Sequence, residues 1–274
     1  MNSDMENSLR KFMKESKLLS VLTGAGISAE SGIPTFRGRE GFWTIGSKEY
    51  HPQEMATYRM FLEKPFEVWK WYLYRMKICS NARPNPGHLA LVQMEKLFKN
   101  RFKLITQNVD GLHLRAGNTM ENTYQIHGNI FYMRCMDECR SELYPLPDNL
   151  PGKEKDEDLT KKEKELIKCP ACGKITRPHV LWFDEAYDEK YYKFSSSLKA
   201  AENTGLLLIV GTSGATNLPN QVARTVQNNG GTIIDINIEE NSFTNIALSS
   251  DKGYFINQPS STALQSILKV FQNM

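Results

Sequence analysis

The sequence predicts an α/β protein built on a doubly wound parallel sheet, joined to a smaller helical and cysteine-bearing part. Two observations carry the sheet. Short apolar runs at Leu18–Thr23, Phe102–Thr106, 206–210 and 232–238 end in small or polar residues, as buried strands of a parallel sheet do. Helical patterns lie between them. One covers 87–98, with Leu91, Met94 and Phe98 at helical spacing, and another closes the chain. In the latter Leu264, Ile267, Leu268 and Phe271 form an apolar stripe, and Ser261 is the expected cap. Strands alternating with helices give a doubly wound core, which binds ligands at the carboxyl ends of its strands. A third observation carries the smaller part: two stretches break the alternation. Residues 42–83 contain the aromatic helical segment FEVWKWYLYRMKIC, and 135–172 hold four of the five cysteines.

Composition narrows the class. The chain has 274 residues, 40% hydrophobic and 24% charged, with 34 basic and 31 acidic side chains. That is ample for a large domain carrying a smaller one, and it disfavours disorder. No run of eighteen apolar residues is present, so no membrane-spanning helix is expected. The N-terminus lacks an apolar segment of signal-peptide length, which points to a soluble cytoplasmic protein. The net charge of +3 is scattered and calls for no nucleic acid. Residues 153–168 hold twelve charges in sixteen positions, six of each sign; the simplest expectation is a solvated helix or mobile loop.

Leu18–Thr23 runs into Gly24-Ala25-Gly26-Ile27-Ser28-Ala29, a G-x-G-x-x-A string directly after a strand. Glycines there let backbone approach a pyrophosphate, and a following helix N-terminus favours its charge. The acidic residue that ordinarily ends a second strand about twenty positions on has no counterpart, so an ordinary dehydrogenase is not expected. The longer string is more specific. GAGISAESGIPTFRG at 24–38, TQNVDGLH at 106–113 and His127-Gly128-Asn129 together resemble the sirtuins, NAD-dependent protein deacylases. RPHVLWFDE at 177–185, Gly211-Thr212-Ser213 and Asn237-Ile238-Glu239 continue the resemblance in order. The fold it implies is Rossmann-like.

That resemblance implies roles for individual residues. Gly24, Ala25, Gly26 and Ser28 would take the pyrophosphate, with Glu30 in the same cofactor-binding string. Asn108 and Asp110 suit a carboxamide, because an amide and a carboxylate complement its donors and acceptor. Phe36 and Arg37 belong to a loop over the ribose and nicotinamide. Gln107 contacts ribose; Gly211, Thr212, Ser213, Asn237 and Glu239 line the adenosine side, and Ser260 is a further adenine contact. His127 is the catalytic residue, titrating near neutrality and able to accept a ribose hydroxyl proton. Val180, Leu181, Trp182 and Phe183 match a strand that pairs with the substrate peptide. Asp184 stands where the family more often has Gly, and GATNLP at 214–219 departs from the family's partner loop, so peptide preference is the least transferable property.

Cys135-x3-Cys139 and Cys169-x2-Cys172 are two close pairs. Four thiolates in that arrangement suit one closed, structural, tetrahedral zinc. Cys79 is then a spare, buried thiol. The expected organisation is a large domain at about 1–40, 84–132 and 178–274. The small domain combines a helical layer at about 41–83 with a zinc module at about 133–177.

Tyr72 and Arg75 are three apart and share one helical face. A guanidinium fork beside a phenol can hold a carboxylate. Tyr-x-x-Arg here, with Thr35 where other branches often have Asp, resembles the sirtuin branch that removes succinyl and malonyl groups. The expected activity is desuccinylation or demalonylation of protein lysine with weaker deacetylation, by a monomer. The competing readings are a predominant deacetylase, an ADP-ribosyltransferase or NAD hydrolase on the same fold, and a non-enzymatic sensor of NAD or ADP-ribose.

Overall fold

A computed structural model describes residues 3–35 and 52–273. Its strands are β1 Leu18–Thr23, β2 Phe102–Thr106, β3 Thr123–Gln125, β4 Gly128–Cys135, β5 Tyr144–Pro145, β6 Thr176–Val180, β7 Thr204–Val210, β8 Thr232–Asn237 and β9 Gly253–Asn257. Six of them form one parallel sheet in the order β3-β2-β1-β7-β8-β9. The chain leaves β1 toward β2 and later returns to its other side at β7. The β1–β7 seam is therefore the topological switch point, where such sheets open a crevice for a ligand.

Alternation along the strands fills both faces. Val21, Leu104 and Leu208 pack on one side against Leu91, Met94 and Phe98 of the Pro86–Phe98 helix and Leu264 and Ile267 of the Ser260–Gln272 helix. Their neighbours Leu22, Ile105 and Ile209 face the other side, against Leu218, Val222 and Val226 of the Asn217–Asn228 helix. Ser261 does not cap the last helix. The helix begins at Ser260 behind Pro259, and Ser261 lies in its first turn, where both its N–H and its hydroxyl donate to the Glu30 carboxylate. The orphan donors of that turn are thus satisfied from a distant loop.

The remaining strands form an antiparallel sheet in the order β5-β4-β6. Its core joins the cysteine-bearing segment to the aromatic helix Pro65–Asn81, with Trp69, Leu73, Met133, Ile167 and Trp182 buried together. Trp69 Nε1 donates to the Thr176 carbonyl at 2.8 Å. β4 spans positions 132/133 and β6 spans 177/178, and the register between them shifts between Gly128 and Met133. Among the described residues no helix is long and apolar enough to cross a membrane.

The charged block at 153–168 is solvated over most of its charged side chains, as expected, but it is anchored at a few points. Leu159 and Ile167 enter the core, and only Lys161–Leu166 is helical. Lys153 is 3% exposed, paired with Glu157 at 3.0 Å and Glu163 at 2.9 Å. Lys77 and Lys70 of the aromatic helix reach Glu154 and Asp158. The block's own carboxylates neutralise the lysine that its apolar residues draw inward, so the segment docks on that helix.

Candidate active site

One cavity of about 1110 Å³ opens at the carboxyl ends of β1, β2, β7 and β8 and continues beneath the end of β6. It brings together most of the residues singled out from the sequence. Gly24, Ala25, Gly26 and Glu30 line it from the β1 loop, Gln107 and Asn108 from the β2 loop, and His127 from the start of β4. Gly211, Thr212, Ser213, Asn237, Glu239 and Ser260 line the opposite end. Tyr72 and Arg75 line it from the aromatic helix, and Val180, Leu181, Trp182 and Phe183 from the strand end. Phe36 and Arg37 lie outside the described residues.

The glycine-rich loop has a second reason for its composition. A Cβ on Gly24 would stand 2.6 Å from Thr212 Cβ, and one on Gly26 would stand 2.6 Å from Gly211 Cα. Gly211 itself has φ +59° and would push a Cβ to 2.6 Å from Ile27 N. The β1 and β7 loops therefore touch backbone to backbone, a cradle that side chains would fill. The helix that follows is only Gly26–Ala29.

Ser28 and Asp110 are buried behind the lining. Ser28 Oγ donates to Asp110 Oδ2 at 2.7 Å, and Leu112 N–H donates to Oδ1 at 2.8 Å. Burial pushes the Asp110 pKa up, against the pull of these two bonds. Asn108 Nδ2 donates to the Gly24 carbonyl at 2.9 Å and to Ser28 Oγ at 3.2 Å. This network fixes the β1 and β2 loops to one another. Gln107 Nε2 reaches Thr212 Oγ1 at 2.8 Å, and Asn237 Nδ2 reaches the Thr212 carbonyl at 3.1 Å.

His127 is placed by backbone. Its carbonyl accepts from Leu181 N–H at 3.0 Å, and Gly128, at φ +85°, follows it where a Cβ would meet the His179 carbonyl at 2.1 Å. Nδ1 lies 3.1 Å from the Gln107 carbonyl. A carbonyl only accepts, so the proton sits on Nδ1 and Nε2 carries the lone pair. Burial lowers its pKa to about 4, the Gln107 contact opposing. The imidazole is thus neutral at pH 7 and able to take a proton at Nε2. That nitrogen is 2.7 Å from the Tyr187 hydroxyl. Tyr187 had no signal in the sequence, because the contact joins positions sixty apart with no local motif.

Asp184 has a structural role of its own. Its carboxylate accepts from Tyr58 N–H at 2.7 Å and Arg59 N–H at 3.1 Å, closing the start of the Tyr58–Glu63 helix. Glu185 holds Arg177 with both carboxylate oxygens and accepts from Trp182 N–H at 2.9 Å. The Arg177 guanidinium lies 3.5 Å from the Trp182 ring centre.

The four cysteines converge. Their Sγ atoms all lie within 4.8 Å of one another, with Cys135–Cys172 and Cys139–Cys169 at 3.6 Å. A tetrahedron of thiolates around zinc at roughly 2.3 Å has edges of about 3.8 Å, so the donor set fits one zinc ion. With all four sulfurs as ligands no position is left for substrate. Cys79 is buried, and burial pushes its thiol to about 12.

Fold and site define an α/β dinucleotide-binding protein with a structural zinc module. The Sir2 family pattern matches residues 24–217. A Leptospira interrogans protein named NAD-dependent protein deacylase is 41% identical over 241 residues, covering 88% of this chain and 89% of its own. A Pyrococcus furiosus protein of the same name is 39% identical, with 89% and 90% covered. A solved complex of a Sir2 homolog with NAD superposes with a TM-score of 0.80 at 31% identity, covering all of this chain and 94% of its own. The chain belongs to the Sir2 family, the sirtuins.

Proposed function

We propose that this chain is an NAD-dependent protein-lysine deacylase that prefers acyl groups ending in a carboxylate, succinyl and malonyl, and removes acetyl more weakly. Family membership supports the reaction class. One observation carries the acyl preference: the buried Arg75 guanidinium and Tyr72 line the same cavity as His127. Arg75 stacks 4.6 Å from the Trp71 ring centre and 5.4 Å from that of Tyr72. A buried guanidinium lining the cavity can hold a carboxylate in a charge-assisted, bidentate pair, which a neutral acetyl group does not offer. Trp71 Nε1–H, also in this wall, finds no acceptor among the described residues.

The cradle residues would hold NAD, and the cysteines would hold zinc. Bound NAD supplies the ribose carbon that releases nicotinamide and accepts the acyl group. Gly24, Ala25 and Gly26 would bind the phosphates, Gly211, Thr212 and Ser213 would line the adenosine side, and Asn108 would take the carboxamide. Asp110 would act by holding Ser28 and the loop. His127 Nε2 would take the proton of a ribose hydroxyl. Val180, Leu181 and Trp182 would pair with the substrate backbone, and Phe183 with a neighbouring side chain. The zinc module would keep β4 and β6, and thus His127 and Trp182, in register. Lysine-acylated peptides bearing succinyl, malonyl, glutaryl and acetyl, each incubated with NAD, test the reading. The expected products are nicotinamide, free lysine and O-acyl-ADP-ribose, formed fastest from the acidic acyl groups. Free ADP-ribose without any need for peptide would instead identify an NAD hydrolase.

A further inference from the structure

Tyr187 packs against the sheet core, lines the cavity and also contacts His127. The imidazole donates from Nδ1 to the Gln107 carbonyl, so Nε2 can only accept. The Tyr187 hydroxyl, 2.7 Å away, is then the donor. A single lone pair on Nε2 accepts one strong hydrogen bond, and a ribose hydroxyl delivering its proton needs the same lone pair. The phenol therefore stands where the reacting hydroxyl must come.

Its place is fixed from several sides. Tyr187 precedes Asp188, whose carboxylate accepts from Tyr191 N–H at 2.6 Å to start the next helical turn. The ring stacks on Phe194 with centroids 6.4 Å apart, and Thr216, whose hydroxyl donates to Gln107 Oε1 at 3.0 Å, adjoins the phenol. Burial holds the phenol near 12, so it is a neutral donor throughout the working range. Burial and the Gln107 carbonyl are the influences that act on the imidazole, and burial and Thr216 those on the phenol. The facing groups are thus Gln107 from the β2 loop, Tyr187 and Phe194 from the segment after β6, and Thr216 from the loop after β7. None of them is charged.

We propose that Tyr187 is a positioning residue for the general base: in the cofactor-free enzyme its hydroxyl occupies His127 Nε2, holds the ring in the reactive tautomer, and yields that nitrogen to the ribose hydroxyl. The inference rests on the reading of His127 as the base. A donor on Nε2 favours the neutral ring, so its removal makes the ring easier to protonate.

The test is the titration of His127, followed by NMR in the full chain with zinc present. Tyr187→Phe should raise the His127 pKa by about 0.5–1 unit, the size of one ordinary hydrogen bond. With ADP-ribose bound the ribose replaces the phenol, and the two proteins should titrate alike. A 3,5-difluorotyrosine at 187 keeps the shape with a stronger donor, so it serves even if the phenylalanine variant folds poorly; it should move the pKa down. An unchanged titration in the ligand-free variants overturns the proposal, as does a shift that persists in full with ADP-ribose bound. Failure of the underlying reading is separate: His127→Ala would then retain deacylation.

Discussion

Trp182 Nε1 donates to the Tyr72 hydroxyl at 2.9 Å, tying the strand end expected to bind peptide to the aromatic helix that lines the same cavity. The bond uses a lone pair of the phenol and leaves its proton free to donate. Burial raises the Tyr72 pKa, so that proton is retained. Tyr72 can thus be fixed by Trp182 and still bind an acyl carboxylate. Tyr72→Phe leaves the buried indole N–H without an acceptor and should cost about 1–3 kcal/mol of stability. It should also raise KM for a succinyl-peptide more than for an acetyl-peptide. Urea unfolding and paired kinetics check both effects.

His127→Ala should abolish deacylation while the chain stays folded. The reason is local: the neighbouring backbone bond from Leu181 N–H goes to the His127 carbonyl, which alanine keeps. Circular dichroism and turnover of an acyl-peptide separate loss of the base from loss of fold.

Chelation of the metal should melt the segment around 135–175, because four neighbouring thiols without a cation lose the bonds that close it. The effect should reach the active site, since β4 carries Cys135 at one end and follows His127 at the other. One zinc per chain by metal analysis, with loss of thermal stability and activity on removal, is the expected result.

Asp184→Gly should destabilise this chain by about 1 kcal/mol. The two N–H groups at Tyr58 and Arg59 lose their acceptor. Comparison of unfolding midpoints, with unchanged kcat on a short acyl-peptide, is the check.

Stability should fall as pH drops from about 6.5 toward 4. His88 and His127 are held at about 4 and His179 at about 3 by burial, and His113 lies well below the usual value for the same reason. In that window the unfolded chain binds protons that the folded chain does not. Each such histidine removes about 1.4 kcal/mol per pH unit. Asp235, pushed up to about 6 by burial, works in the opposite direction, because it binds its proton in the folded state first. Four histidines against two carboxyls, Asp235 and the likewise raised Asp110, leave a net loss toward acid, measurable by urea unfolding at successive pH values.

The sheet was legible because β1, β2, β7 and β8 are buried on both faces and read as continuous apolar runs. The NAD cradle and the cysteine pairs were legible because their residues fall in short strings of fixed spacing. Other features were not. Tyr187 meets His127 only through the return of β6 beside β4. Lys153 looked solvated because charge density along the chain does not reveal Leu159 and Ile167 pulling it inward. The start of the last helix is hidden for the same kind of reason: Glu30, which satisfies Ser261, is more than two hundred residues away.

The account turns on Arg75 and the group it faces. The most direct measurement is kcat/KM for succinyl- and acetyl-peptides of one sequence, with NAD, in the native chain and in Arg75→Met. Loss of a bidentate charged contact is worth about 2–4 kcal/mol. The native chain should favour the succinyl-peptide, and Arg75→Met should lose most of that activity through KM while its acetyl-peptide kinetics change little. Equal losses on both peptides, or a native preference for acetyl, would contradict it.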